Sequence, residues 1–163
     1  MERRLCEKGR VVSLRPITDA NRAQVEALSV SELQQQFVSS VTDSLLEAEE
    51  DVGGRAIYWA IYADETPVGF VMISDDVDGP GYIPYFLWKL LIDERHQGKG
   101  YGSATLDLIV DYFRTRPGVK VDVLSTSAGE GEGSPIGFYE RYGFRQTGDI
   151  VFDYEVLLQL ELG

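Results

Sequence analysis

At 163 residues the chain has the length of one domain with room for a sizeable core, and a hydrophobic fraction of 44% with abundant aromatics belongs to a globular protein. A formal net charge of -12 disfavours nucleic acid, whose phosphates attract positive surfaces, and either serves solubility alone or favours a cationic partner. A single cysteine, Cys6, excludes an internal disulfide and offers no zinc site, no apolar run approaches the roughly 20 residues that cross a bilayer, and the first residues lack the apolar stretch of a signal peptide, so a cytoplasmic chain with no membrane and no metal is expected.

In chain order, residues 1–9 are polar and are expected to form a flexible segment ahead of a single domain spanning 10–162. Residues 11–15 read as a short strand closed by Pro16, and Thr18 or Asp19 supplies an N-cap for a helix over 21–30. From 33 to 50 Phe37, Val41, Leu45 and Ala48 recur every three or four residues, predicting one helix that stops at Gly53 and Gly54. Its acidic end, with Glu47, Glu49, Glu50 and Asp51, is either a solvated face or the border of a site for cations. Residues 56–62 and 68–73 are rich in β-branched and aromatic side chains and flank a turn-like link, as in a hairpin. A loop of Asp, Gly and Pro over 75–81 leads into a mostly apolar strand at 85–92.

Beyond that strand stand Gly98, Gly100 and Gly102, and then a helix with Leu106, Ile109, Val110 and Phe113 on one side, ending before Pro117. A strand at 119–124, a Gly and Glu loop at 128–133, a short helix at 135–142 and closing strands through 150–152 and 156–158 complete the chain. Hairpins and helices mixed in this order predict an α/β fold with a mixed, largely antiparallel central sheet flanked by helices.

A strand that ends in a glycine-rich turn and enters a helix presents unpaired N–H groups at the positive end of the helix dipole, a place for an anion. Glycine leaves room for close approach of a diphosphate, and Lys99 and Arg95 add positive charge, although glycines also end strands and permit tight helix packing. No G-x-x-x-x-G-K-[ST] pattern is present, and the dinucleotide fingerprint lacks its acidic partner about twenty residues on, which argues against ATP and NAD.

Residues 97–102, Gln-Gly-Lys-Gly-Tyr-Gly, resemble the (Gln/Arg)-x-x-Gly-x-(Gly/Ala) signature of the GNAT N-acetyltransferases, residues 90–95 resemble that family's approach strand, and Tyr139 to Phe144 is similar to its Tyr-x-x-x-Gly-Phe segment. Within the family the stretches around both motifs are most similar to those of bacterial spermine/spermidine acetyltransferases. The resemblance implies acetyl-CoA as co-substrate, a small-molecule amine such as a polyamine as acceptor, direct attack without a covalent enzyme intermediate, and a possible homodimer. It implies that Gln97, Gly98, Lys99, Gly100, Tyr101 and Gly102 hold the diphosphate and that Leu90, Leu91 and Ile92 pair with the pantetheine arm. Tyr139 is implied as the acid that protonates the departing thiolate, a role a phenol can fill by donating a hydrogen bond to developing charge.

Two positions depart from the polyamine enzymes: Leu87, Trp88 and Lys89 stand where an acidic residue often sits, and residues 132–135 lack the usual Asn. A base must still free the ammonium nitrogen, and the candidates are Asp75, Asp76, Glu132, Glu47, Glu49 and Glu50, each of which also reads as a solvated acid. His96, in the turn, is expected to face solvent beside the phosphates. Tyr82, Tyr85, Phe86 and Trp88 either pack the core or select a flatter aromatic amine. The alternatives to polyamine acetylation are a non-catalytic CoA-binding module and an acetyltransferase for an antibiotic, an amino acid or a protein amine.

Overall fold

The computed structural model describes residues 3–5, 9–51, 55–75 and 83–163. Its elements in chain order are β1 (Arg3–Leu5), β2 (Val11–Arg15), α1 (Arg22–Glu26), α2 (Glu32–Gln35), α3 (Val41–Glu50), β3 (Ala56–Ala63), β4 (Thr66–Ser74), β5 (Phe86–Ile92), a 3-10 turn (Glu94–His96), α4 (Tyr101–Arg114), β6 (Val123–Ala128), α5 (Ile136–Tyr142), β7 (Arg145–Val151) and β8 (Glu155–Glu161). The strands form one sheet in the order β1-β2-β3-β4-β5-β6-β8-β7. Every neighbouring pair is antiparallel except β5 and β6, which α4 connects as a crossover. The expected mixed, largely antiparallel architecture is therefore present.

Two cores cover the two faces of the sheet. One joins Ile61, Val71, Ile73 and Leu87 to Leu106 and Phe113 of α4 and to Tyr139 of α5. The other joins Phe70, Met72 and Leu91 to Val25 of α1 and to Val41 and Leu45 of α3. Alternation along β3 and β4 feeds both cores, which is why these strands read as almost continuous apolar runs. No helix among the described residues is long and apolar enough to cross a membrane.

Elements that differ from the sequence reading include the first helix: expected over 21–30 with Thr18 or Asp19 as N-cap, it is α1 at Arg22–Glu26 with Asn21 at the N-cap position. The helix expected over 33–50 is broken in two, because Ser40 turns extended and its Oγ accepts the Asp43 N–H at 3.1 Å, capping α3, while Ser31 and Gln34 form a capping box on α2. The strand expected at 119–124 runs at 123–128, since the polar triplet Ser125, Thr126 and Ser127 is satisfied within the sheet: Thr126 Oγ1 donates to the Leu87 carbonyl at 2.9 Å and Gln159 Nε2 to Ser125 Oγ at 3.3 Å. Residues 3–5, expected outside the domain, pair antiparallel with β2. Cys6, Gly53, Gly54, Asp76 and Tyr82 lie outside the described residues.

Asp93, only 2% exposed, ties the end of β5 to the segment between α1 and α2. Its N–H donates to the Val68 carbonyl at 2.9 Å, and its carboxylate accepts the Ser29 N–H at 2.9 Å, the Arg95 N–H at 3.0 Å and Arg95 Nε at 2.8 Å. Burial alone would raise this carboxyl, but the bonds from the Arg95 side chain and from the Ser29 and Arg95 N–H groups outweigh it and hold the pKa down at about 2. A depressed carboxyl pKa stabilises the fold above its unfolded value near 3.9 and loses that contribution as pH falls toward the folded value. Asp93→Asn is expected to cost about 2 kcal/mol at pH 7 in urea unfolding. The gap between wild type and variant should close as the pH of the titration is lowered from 4 to 2.

Candidate active site

The site begins where β5 and β6 part. They pair in parallel only at Phe86 with Ser125 and Leu87 with Thr126, and β5 then continues to Ile92 paired with β4 alone. A register shift against β4 at Met72 and Ile73 leaves Trp88 as the extra residue of a bulge, which bends the strand just where it leaves its neighbour. Beyond the bulge the backbone alternates. Asp93 bonds toward β4, and a Cβ added to Gly69 of β4 would run into the Leu91 carbonyl, so Leu91 also addresses β4. Leu90 and Ile92 therefore turn their peptide groups into the gap, and the Ile92 carbonyl there accepts Gln97 Nε2 at 2.8 Å.

A cleft of about 510 Å³ fills this gap. Leu90 and Ile92 form its floor, Gly98, Gly100 and the first turn of α4 one wall, Phe138 and Tyr139 of α5 another, and Val30, Gln34, Phe37 and Val38 its roof. Gln34 and Gln97 join roof to wall with reciprocal amide bonds of 2.9 and 3.2 Å. Gln97, Tyr101, Gly102 and His96 line the cleft as well, whereas Leu91 and Lys99 lie outside its lining and the Leu91 side chain sits in the α1–α3 core.

The turn has the geometry the glycine pattern suggested. Gly98 and Gly100 have φ of +76° and +84°, and Gly100 is the N-cap of α4 in the left-handed conformation. The first intrahelical bond runs from the Ala104 N–H to the Gly100 carbonyl at 3.0 Å, so the N–H groups of Tyr101, Gly102 and Ser103 precede it and remain for an anion at the positive helix end. A Cβ on Gly102 would stand 3.0 Å from Phe138 Cζ, which shows how closely α4 and α5 approach at this wall. These bare donors, together with an open strand edge, fit the diphosphate and amide groups of CoA.

Tyr139 is buried in the α4 side core yet reaches the cleft. Its phenol is pushed up to about 12, chiefly by desolvation and further by the negative charge of Glu155, against the opposing hydrogen bond with Thr126. His96 is half-buried, and burial lowers its pKa against the opposing charge of Asp93.

None of the expected base candidates among the described residues lines the cleft. Asp75 accepts Tyr112 Oη at 2.9 Å and Arg116 Nε at 2.6 Å, locking the end of β4 to α4. Glu47 pairs with Lys89 at 3.0 Å, while Glu49, Glu50 and Glu132 are exposed. The aromatic group is dispersed: Tyr85 packs edge-on to Phe113, Phe86 meets Phe152, and Trp88 joins the α1–α3 core. Sequence reasoning passed over Phe37, Thr126 and Glu155; the last follows an aromatic pair, Phe152 and Tyr154, in a turn whose exposure was the one signal available.

Residues 22–144 match the model of the acetyltransferase (GNAT) family. The chain is 28% identical over 156 residues, covering 93% of itself and 99% of the relative, to the spermine/spermidine N(1)-acetyltransferase of Bacillus subtilis strain 168. Its fold is similar to that of the GNAT domain of S. lividans PAT, with a TM-score of 0.72, 18% identity and coverage of 98% and 96% of the two chains. It is also similar to spermidine N-acetyltransferase from Vibrio cholerae in complex with CoA and spermine, with a TM-score of 0.66, 14% identity and coverage of 93% and 95%.

Replacing Gly100 tests the turn. Gly100→Ala must hold a Cβ at a φ of +84°, which costs on the order of 1 kcal/mol of stability. We expect the variant to fold with unchanged far-ultraviolet circular dichroism and to lose most of the rise in melting temperature that CoA gives the wild type.

Proposed function

The chain belongs to the GNAT acetyltransferase family, and we propose that it moves the acetyl group of acetyl-CoA to a primary amine of a small cationic acceptor, a polyamine being the class its charge and its Bacillus subtilis relative favour. The observation that carries this reading is the splay of β5 from β6, flanked by a helix N-terminus at one end and a neutral buried phenol at the other. Acetyl-CoA, when bound, supplies an acetyl group activated as a thioester, whose transfer to an ammonium releases a thiol and one proton.

The protein's part is to hold, orient and move protons. The N–H groups of Tyr101, Gly102 and Ser103 receive the diphosphate, and Gly98 and Gly100 let the chain curl beneath it. Leu90 and Ile92 offer peptide groups to the amides of the pantetheine arm, which extends the sheet by one strand-like partner. One of those groups is already engaged, so Gln97 must release the Ile92 carbonyl or share it. Tyr139 gives its proton to the departing sulfur and recovers one from the acylated nitrogen. With its pKa near 12 it enters each cycle as the neutral phenol, a donor at any physiological pH.

Lys89 does not oppose a cationic acceptor. Its ammonium, 14% exposed at the side chain, is neutralised by Glu47 at 3.0 Å and donates to Ser39 Oγ at 2.9 Å, so the approach strand contributes no net positive charge.

Thiol release from acetyl-CoA, measured against spermine, spermidine, amino acids, aminoglycosides and peptides, tests this function. Spermidine or spermine is expected to give the highest kcat/KM. Tyr139→Phe should lower kcat by about 10²-fold while leaving the CoA-induced melting shift in place. Stabilisation by CoA with no thiol release from any amine would leave a binding module in place of an enzyme.

A further inference from the structure

The acceptor needs a carboxylate, and the approach strand does not provide one. Lys89 holds the position, and its partner Glu47 is committed to it. Strand register leads to another. Ser125 pairs with Gln159 and Ser127 with Leu157, so Glu155, two residues before Leu157, projects to the same face of the sheet as Ser125 and Ser127. The Ser127 hydroxyl donates to Glu155 Oε1 at 3.1 Å. Thr126, between the two serines, projects to the opposite face and meets the Tyr139 phenol there. Tyr139 and Glu155 thus stand on opposite faces of β6, at the end where it has parted from β5.

The surroundings of Glu155 suit an alkylammonium. The turn between β7 and β8 holds Phe152 and Asp153 at φ of 50° and 72°, a conformation uncommon for a bulky residue, and presents Phe152 toward Phe86 with ring centroids 6.0 Å apart. Tyr154 and Phe37 converge on Gly129, where a Cβ would lie 3.2 Å from the first ring and 3.7 Å from the second. Phe152 is 52% exposed and Tyr154 68%. Glu155 is half-buried and stands outside the residues that line the cleft, and the turn that leads into it carries two exposed aromatic faces, so this end of the sheet offers charge for an ammonium and apolar surface for its methylenes. Among the described residues no ion pair joins a cation to Glu155; Tyr139 of α5 feels its charge, and Asp153 and Tyr154 precede it in its own turn.

We propose that Glu155, held by Ser127, is the carboxylate that receives the acceptor's ammonium and takes its proton, with Phe152 and Tyr154 as the rim of the acceptor subsite. The assignment rests on the amine acetyltransferase reading above. In this step one N–H bond breaks, its electron pair stays on nitrogen as the attacking lone pair, and the proton moves to a Glu155 oxygen and then to solvent. The field of Glu155 also raises the Tyr139 pKa, so the same charge that accepts the acceptor's proton keeps the acid protonated.

Glu155→Gln tests it, with Glu132→Gln as an exposed-acid control. We expect Glu155→Gln to keep the CoA-induced melting shift and to lose about 10²-fold in kcat/KM for spermidine at pH 7. The loss should shrink as pH rises toward the pKa of the amine, since a nitrogen already free needs no base. Titration calorimetry of spermidine into the CoA-saturated protein at pH 6.5 should show binding weakened at least tenfold. Equal activity in variant and wild type, or a loss of the same factor at every pH with binding unchanged, overturns the assignment and leaves the acetyltransferase reading standing. A wild type that acetylates no amine overturns both.

Discussion

Everything at the site follows from how little β5 and β6 pair. Two residue pairs join them, and past Leu87 the strands have no common ladder. A strand edge inside a protein normally costs free energy, because each unpaired peptide group has given up water without a replacement. Here the edge is the floor of a cleft, and its groups are only partly answered, by Gln97 at Ile92 and by Thr126 at Leu87. An edge left in this condition is complementary to a ligand that carries its own amides. The bulge at Trp88 and the bonds of Leu91 and Asp93 toward β4 make that edge rigid, so it is prepared before a ligand arrives.

The same economy holds the helix terminus in place. Asp93 lies between the floor and the turn, and its two oxygens bind the α1–α2 connection through Ser29 and the turn through Arg95. Gln34 and Gln97 repeat the link one layer further out. Roof, floor and glycine turn are therefore fixed to one another by a buried carboxylate and a pair of side-chain amides. Loop positions alone would not give that precision.

What could be read from the sequence was what local chemistry controls. Gly98 and Gly100 were legible because a positive φ admits little else, and α4 was legible because Leu106, Ile109 and Phe113 repeat at the helical period. The break at Ser40 was present in the sequence as a capping residue, but the apolar spacing of Phe37 and Val41 ran across it and won the reading. β6 was displaced because its buried members, Ser125 and Thr126, are polar, and only partners 34 and 39 residues distant explain their burial. Glu155 was invisible for the same reason. The aromatic pair before it in sequence does not mark it as an acid with a partner, and its meaning comes from Ser127, 28 residues earlier, and from a phenol on the other face of the sheet.

Net charge behaves likewise. A total of -12 describes the field at a distance and says nothing about which acid meets the acceptor. Glu47, which reaches Lys89 of the approach strand, has its charge cancelled by that residue. With that pair closed, a carboxylate one strand beyond β6 is left to act, and its position also solves a conflict between acid and base. Two proton-transfer groups at one reaction centre must differ in affinity by several pKa units to hold opposite protonation states at one pH. Desolvation holds Tyr139 as the neutral phenol on the α4 face, and the field of Glu155 from the other face adds to this, because a negative Glu155 makes a phenolate harder to form. Separating the two groups by the thickness of a single strand keeps them close enough for this coupling and leaves the nitrogen and the sulfur to be approached from opposite sides of the sheet.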